Sequence, residues 1–178
     1  IMHDGLVREF LYYIPPTNDK PSPLLIDLHG FSNTGLIGKY VYDFYGVHSF
    51  LDEAKEKGFA VIWPTGVLFS WNATDCCPPA NYLNIDDNGF LLKAVDKMKN
   101  IISIDETRVY VHGISNGGAM AHDLAVKNPK VFAAMASSAA PMYRLSKDKY
   151  PNRAIAQLEI HGTSDSTIKY GGGQIIDG

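Results

Sequence analysis

One segment of this chain carries the parts of nucleophilic chemistry. Gly113-Ile114-Ser115-Asn116-Gly117-Gly118 follows an apolar run, Val109 to His112, and opens a helical pattern. A serine set between small residues at a strand-to-helix turn is lifted out of the sheet at a helix N-terminus. Free N–H groups and the helix dipole there favour developing negative charge. The bland alternative is a chance match in a chain with 16 glycines; the flanking strand and helix weigh against it. A serine alone is a weak nucleophile. It needs a base, and the base needs an orienting carboxylate. In open parallel sheets the order along the chain is serine, acid, histidine. Asp165, in the short loop after Leu158-Glu159-Ile160, supplies the acid, with a plain turn residue as the alternative. Asp148, in a Lys-rich loop, and Asp123, on the nucleophile helix, are weaker rivals. Leu28-His29-Gly30-Phe31 follows an early strand and offers the oxyanion hole. The backbone N–H groups of Phe31 and Asn116 are the expected donor pair, and His29 is read as a structural hydrogen-bonder.

The base is the gap. The chain has six histidines, His3, His29, His48, His112, His122 and His161, and none follows Asp165. His122 is seven residues beyond Ser115, about 10 Å along the helix. His112 and His161, at strand ends, are expected to be packed and hydrogen-bonded. The triad histidine is therefore not assigned in this chain. It is expected further on, together with a last strand and helix, which makes residues 1–178 a single domain incomplete at its C-terminus.

The elements that must position these groups are legible as alternating runs. Leu6 to Ile14, Leu24 to Leu28, Phe59 to Trp63, Val109 to His112, Phe132 to Ser137 and Ile155 to Ile160 read as strands. Helices are expected over Val47 to Lys57, from Asp86-Asp87 to about Asn100, and over Asn116 to Lys127. Asp86 and Asp87 are read as cap and loop pin, not as a metal or acid pair. The strands are continuously apolar, which points to a mostly parallel α/β sheet with helices on both faces. Active sites in such sheets lie at the carboxyl ends of the strands. The long irregular stretch Thr65 to Ile85 is of functional or disulfide-tied length.

Composition bounds the function classes. Of 178 residues, 46% are apolar and 20% charged, with net charge −3. That fits one folded domain and speaks against phosphate-neutralising nucleic-acid binding. No apolar run approaches the roughly 18 residues of a membrane span. Cys76 and Cys77 are adjacent, so no zinc site is legible. A strained bridge between them, pairing with a cysteine elsewhere, and free thiols all stay open. Asn72-Ala73-Thr74 is a weak glycosylation signal.

Taken together, these segments resemble the polyhydroxybutyrate depolymerase and feruloyl esterase family of α/β-hydrolases. The segments that carry the likeness are Leu28-His29-Gly30, Trp63-Pro64, Trp71-Asn72, Cys76-Cys77, Asp86 to Leu91, Gly113 to Met120, His161 to Asp165 and Tyr170-Gly171-Gly172. The resemblance implies the α/β-hydrolase fold, Ser115 as nucleophile, Asp165 as triad acid, a downstream histidine, disulfides and secretion. The expected activity is that of a serine carboxylesterase without metal or other cofactor. Its substrates would be feruloyl or other hydroxycinnamoyl, acetyl or short-chain, or polyhydroxyalkanoate esters, whether small, polysaccharide-linked or polymeric. Phe69, Trp71 and Tyr82 are expected to line the acyl pocket, with core or loop-pinning roles as the alternative. Two other outcomes are a non-catalytic binding module or inactive fragment lacking the triad histidine, and a peptidase on the same fold.

Overall fold

The computed structural model describes residues 1–16, 20–32, 35, 50–73, 77–142 and 153–173. The chain opens on a small hairpin, β1 (Met2–His3) and β2 (Leu6–Val7). Its turn residues, Asp4 and Gly5, take positive φ of 48° and 74°, as tight two-residue hairpin turns require. The single strand expected over Leu6 to Ile14 is therefore split. At the break, the Arg8 N–H donates to the Ile1 carbonyl at 2.8 Å, and its side chain turns into the core.

β3 (Phe10–Tyr13) then joins the main sheet, antiparallel to β5 (Ala60–Pro64). The remaining strands run parallel: β5, β4 (Ser22–Leu28), β6 (Ile104–Ile114), β7 (Ala134–Ser138) and β8 (Ala156–Ile160). The order across the sheet is β3-β5-β4-β6-β7-β8. β6 is longer than the run Val109 to His112 because Ile104 also pairs, with Ser22.

Helices cover both faces. α2 (Asp87–Lys99) and α3 (Asn116–Lys127) lie on one side, where Phe90, Leu91, Met98, Met120 and Leu124 are buried against Leu24, Ile26, Ile62 and Val111. Burying each large side chain of this layer stabilises by roughly 1.5–3 kcal/mol. α1 (Leu51–Lys57) lies on the other side, its Ala54 packed with Val61 and Trp63. α1 stops at Gly58, whose φ of 72° closes the last turn. The expected start of this helix, residues 47–49, lies outside the described residues. Asp86 caps α2 by accepting from the Gly89 N–H at 2.9 Å. Asp87 turns inward to the Arg8 guanidinium at 2.6 Å and the Asn72 N–H at 2.8 Å. Arg8 in turn sits 4.0 Å over the Phe90 ring. Helix cap and loop pin account for both aspartates.

Candidate active site

Ser115 stands between β6 and α3 with φ 54° and ψ −124°. A β-carbon residue in that region is strained by about 1–3 kcal/mol, which the surroundings must offset. Two backbone bonds do so locally. The Ser115 N–H donates to the Ser138 carbonyl at 2.8 Å, and the Ala119 N–H donates to the Ser115 carbonyl at 3.0 Å. The Ser115 side chain makes no capping bond, so its hydroxyl is not spent on the helix. The glycines are required by close approach. A Cβ on Gly113 would collide with the Gly117 carbonyl, and one on Gly117 with the carbonyls of Leu28 and His29.

The turn after β4 lies against the serine. A Cβ added to Gly30 would stand 3.5 Å from Ser115 Cβ. Among the described residues, neither the Phe31 nor the Asn116 N–H has a hydrogen-bond partner. This turn is fastened by a buried triangle. Asn116 Oδ1 accepts the Trp71 N–H at 2.7 Å, and Asn116 Nδ2 donates to the Trp71 carbonyl at 3.0 Å. Trp71 Nε1 donates to the His29 carbonyl at 2.9 Å, and the two rings lie 4.8 Å apart. His29 Nε2 accepts the Gly66 N–H at 2.9 Å while Nδ1–H donates to the Gly30 carbonyl at 2.7 Å. That pattern fits only neutral imidazole. Burial lowers the pKa to about 4, so His29 is a structural strut.

Asp165 follows β8 at the same carboxyl edge of the sheet. Its Oδ1 accepts the N–H groups of Ile168 and Thr167, each at 2.9 Å, and these hold the carboxyl below its ordinary pKa, Ile168 foremost. The other oxygen, Oδ2, lies 3.6 Å from His161 Nε2. His161 Nε2–H itself donates to the Ile168 carbonyl at 2.6 Å. The remaining described histidines are engaged elsewhere: His3 with Asp86 at 2.8 Å, His112 with Asp27 at 2.7 Å and His122 with Glu159 at 3.0 Å. None of them is hydrogen-bonded to Ser115, and His48 lies outside the described residues. Of the rival acids, Asp123 is tied to Asn88 and Lys127 at 2.6 and 2.7 Å, and Asp148 lies outside the described residues.

Comparison with known structures places the fold. A thermostable esterase superposes with a TM-score of 0.67 at 22% identity, covering 94% of this chain and 46% of the other. An acetyl xylan esterase from Aspergillus awamori gives 0.56 at 20%, covering 81% and 52%. The chain has the α/β-hydrolase fold. This chain matches the prolyl oligopeptidase family model over residues 85–171. In sequence it is similar to feruloyl esterase B of Piromyces equi, 28% identical over 91% of this chain and 30% of the relative. It is likewise similar to a probable feruloyl esterase C of Aspergillus niger, 27% identical over 93% and 58%. A bifunctional acetylxylan esterase/xylanase of Neocallimastix patriciarum is 27% identical over 93% of the chain and 22% of the relative. The chain thus spans between a fifth and three fifths of the length of these curated relatives.

Several finer expectations meet the structure differently. Trp71, expected in the acyl pocket, has no exposed surface; its indole N–H fastens His29, and its backbone N–H and carbonyl fasten Asn116. Phe69 and Tyr82 are 50% and 81% exposed. Phe69 adjoins the turn after β4, because its carbonyl accepts the Ser32 N–H at 2.9 Å. Leu68 and Phe69 both hold positive φ, 49° and 63°, which turns this short apolar segment outward. Asn72 donates its amide nitrogen, the atom a glycan would take, to the Ile85 carbonyl at 2.9 Å. Cys77 is disulfide-bonded, so the free-thiol reading falls; Cys76 lies outside the described residues.

The sequence missed one constellation near Ser115. On the α1 face, Asp27 Oδ1, His112 Nδ1, His112 Nε2 and Ser138 Oγ form a line across β4, β6 and β7, with contacts of 2.7 and 3.2 Å. Burial pushes the Asp27 carboxyl up, against the opposing pull of His112. The only sequence signal was polar residues inside apolar strands.

Proposed function

We propose that this chain carries the nucleophile of a serine carboxylesterase. The carrying observation is Ser115, held at φ 54° on a strand–turn–helix elbow with the Gly30 turn against it. Its hydroxyl attacks an ester carbonyl as a histidine takes the proton. The oxyanion rests on the N–H groups of Phe31 and Asn116, and Asp165 orients the imidazole. An acyl-enzyme forms on Ser115, and water releases the acid. No metal or cofactor is needed for this sequence of steps. The names of the relatives support hydroxycinnamoyl and acetyl esters, free or polysaccharide-linked, ahead of polyhydroxyalkanoates. The exposed Phe31, Leu68 and Phe69 beside the oxyanion turn offer apolar surface to an acyl group. A disulfide at Cys77 supports an extracellular location. The match to the prolyl oligopeptidase family keeps a peptidase as the second reading, though relatives aligned over nine tenths of the chain are named as esterases.

The test is intact mass after exposure to a fluorophosphonate, with hydrolysis of methyl ferulate, 4-nitrophenyl acetate and a prolyl anilide measured beside it. The expected result is one adduct on Ser115, absent from Ser115→Ala, with ester turnover and no anilide cleavage. No adduct on the wild-type protein sinks the enzyme reading in favour of a binding module. Anilide cleavage without ester turnover favours the peptidase.

A further inference from the structure

The nucleophile elbow is braced from two sides. On the α3 side stands the Asn116–Trp71–His29 triangle. On the α1 side stands the row Asp27, His112 and Ser138, one residue from each of three adjacent parallel strands. We propose that this row positions Ser115, with Ser138 as the link, and the proposal rests on Ser115 being the nucleophile.

Connectivity carries the inference. Ser138 is the last residue of β7, and the chain leaves it at once through Ala139, whose φ is 54°. The turn beyond is held by the Ala139 N–H, which donates to the Ile160 carbonyl at 2.8 Å, and by Ser137 Oγ–H, which donates to the Ala140 carbonyl at 2.6 Å; the last strand residue has a side-chain anchor of its own. Ser138 Oγ–H is that anchor, donating to His112 Nε2 at 3.2 Å, while His112 Nδ1–H donates to Asp27 Oδ1 at 2.7 Å. The Ser138 carbonyl in turn accepts the Ser115 N–H at 2.8 Å. The same backbone group that leaves the sheet therefore holds the strained serine, and its position is set by an imidazole fixed at both ends. The Phe50 ring, edge-on to His112 at 5.0 Å, closes the remaining side. Apolar side chains would fill this face at no loss of stability, since buried ionic groups seldom outperform well-packed hydrophobic ones. What the polar row adds is direction, two hydrogen bonds that fix one position of the β7 end. Displacements of a reacting atom by about 1 Å cost up to about a hundredfold in rate, so fixing this end bears on catalysis more than on folding.

The test compares Ser138→Ala, Asp27→Asn and Ser138→Thr with the wild-type protein. The inactivation rate constant and the reversible binding constant for the fluorophosphonate are measured separately, with amide hydrogen exchange at Ser115. Ser138→Ala and Asp27→Asn should lower the rate constant about tenfold with binding changed less than about twofold. Exchange at the Ser115 amide should quicken, while the melting transition stays cooperative. Ser138→Thr, which keeps the hydroxyl, should recover most of the rate. A wild-type rate in Ser138→Ala overturns the proposal, as does a second adduct on Ser138, which would make it a nucleophile. A wild-type protein that forms no adduct defeats the esterase reading instead. Amide exchange then decides the row on its own: unchanged exchange at Ser115 in Ser138→Ala shows that no pinning exists.

Discussion

Asn116→Asp tests the buried tie between Asn116 and Trp71 with a change of one atom. Asn116 is 1% exposed, accepts the Trp71 N–H at 2.7 Å and donates to the Trp71 carbonyl at 3.0 Å. A neutral aspartic acid can keep both bonds, its carbonyl accepting and its O–H donating. A carboxylate cannot, because its second oxygen then faces the Trp71 carbonyl. Leaving that buried acceptor unpaired costs about 1–3 kcal/mol, and burying the charge costs more. The N-terminus of α3 returns roughly 0.3–1 kcal/mol to a negative group, too little to reverse the sign. A net loss of about 3 kcal/mol at pH 7 follows. The folded-state carboxyl is raised above its unfolded value, so the variant's stability is intact below the unfolded value and lost as pH rises. At about 1.4 kcal/mol per pH unit, that loss runs over about two units above the ordinary carboxylate value near 4. Urea denaturation of both proteins from pH 4 to pH 8 measures it, with the denaturant slope unchanged. The midpoints should coincide near pH 4 and separate steadily to about pH 6. A difference below about 1 kcal/mol throughout, or one independent of pH, would refute the buried two-bond tie.

Gly30→Ala should fold, because its Cβ meets the Ile114 carbonyl at 3.4 Å and Ser115 Cβ at 3.5 Å, tight but not colliding. On the proposed esterase reading it should nevertheless cut ester turnover more than tenfold by filling space over Ser115, and turnover within about twofold of wild type would show that the turn does not flank the reacting ester. His29 makes a separate pH prediction. Its pKa falls from 6.5 to about 4 on folding, so the unfolded chain binds the extra proton between those values. Stability is then lost as pH falls, by about 3 kcal/mol in all. His29→Gln, which retains an acceptor for Gly66, should flatten that part of the stability curve; an unchanged curve would assign the slope to another group.

Local sequence carried the elbow well. Gly113, Ser115 and Gly117 lie within five residues, and the close approach of strand to helix that demands the glycines is itself local. α3 over Asn116 to Lys127, the cap at Asp86 and the stop at Gly58 depend on neighbours in sequence for the same reason. The parallel sheet was legible because strands buried on both faces must be apolar throughout. The order β3-β5-β4-β6-β7-β8 was not, since every apolar run is an acceptable neighbour for every other. Nor was the fate of Trp71. An aromatic residue in a long loop looks like pocket lining until its partners are known, and here they are His29 and Asn116, 42 and 45 residues away. The row through His112 shows the same limit most sharply. Its partners lie 85 residues before it and 26 after it. The sequence reading had the imidazole packed and hydrogen-bonded at a strand end; only the register of three parallel strands decided that a carboxylate and a hydroxyl would meet it there.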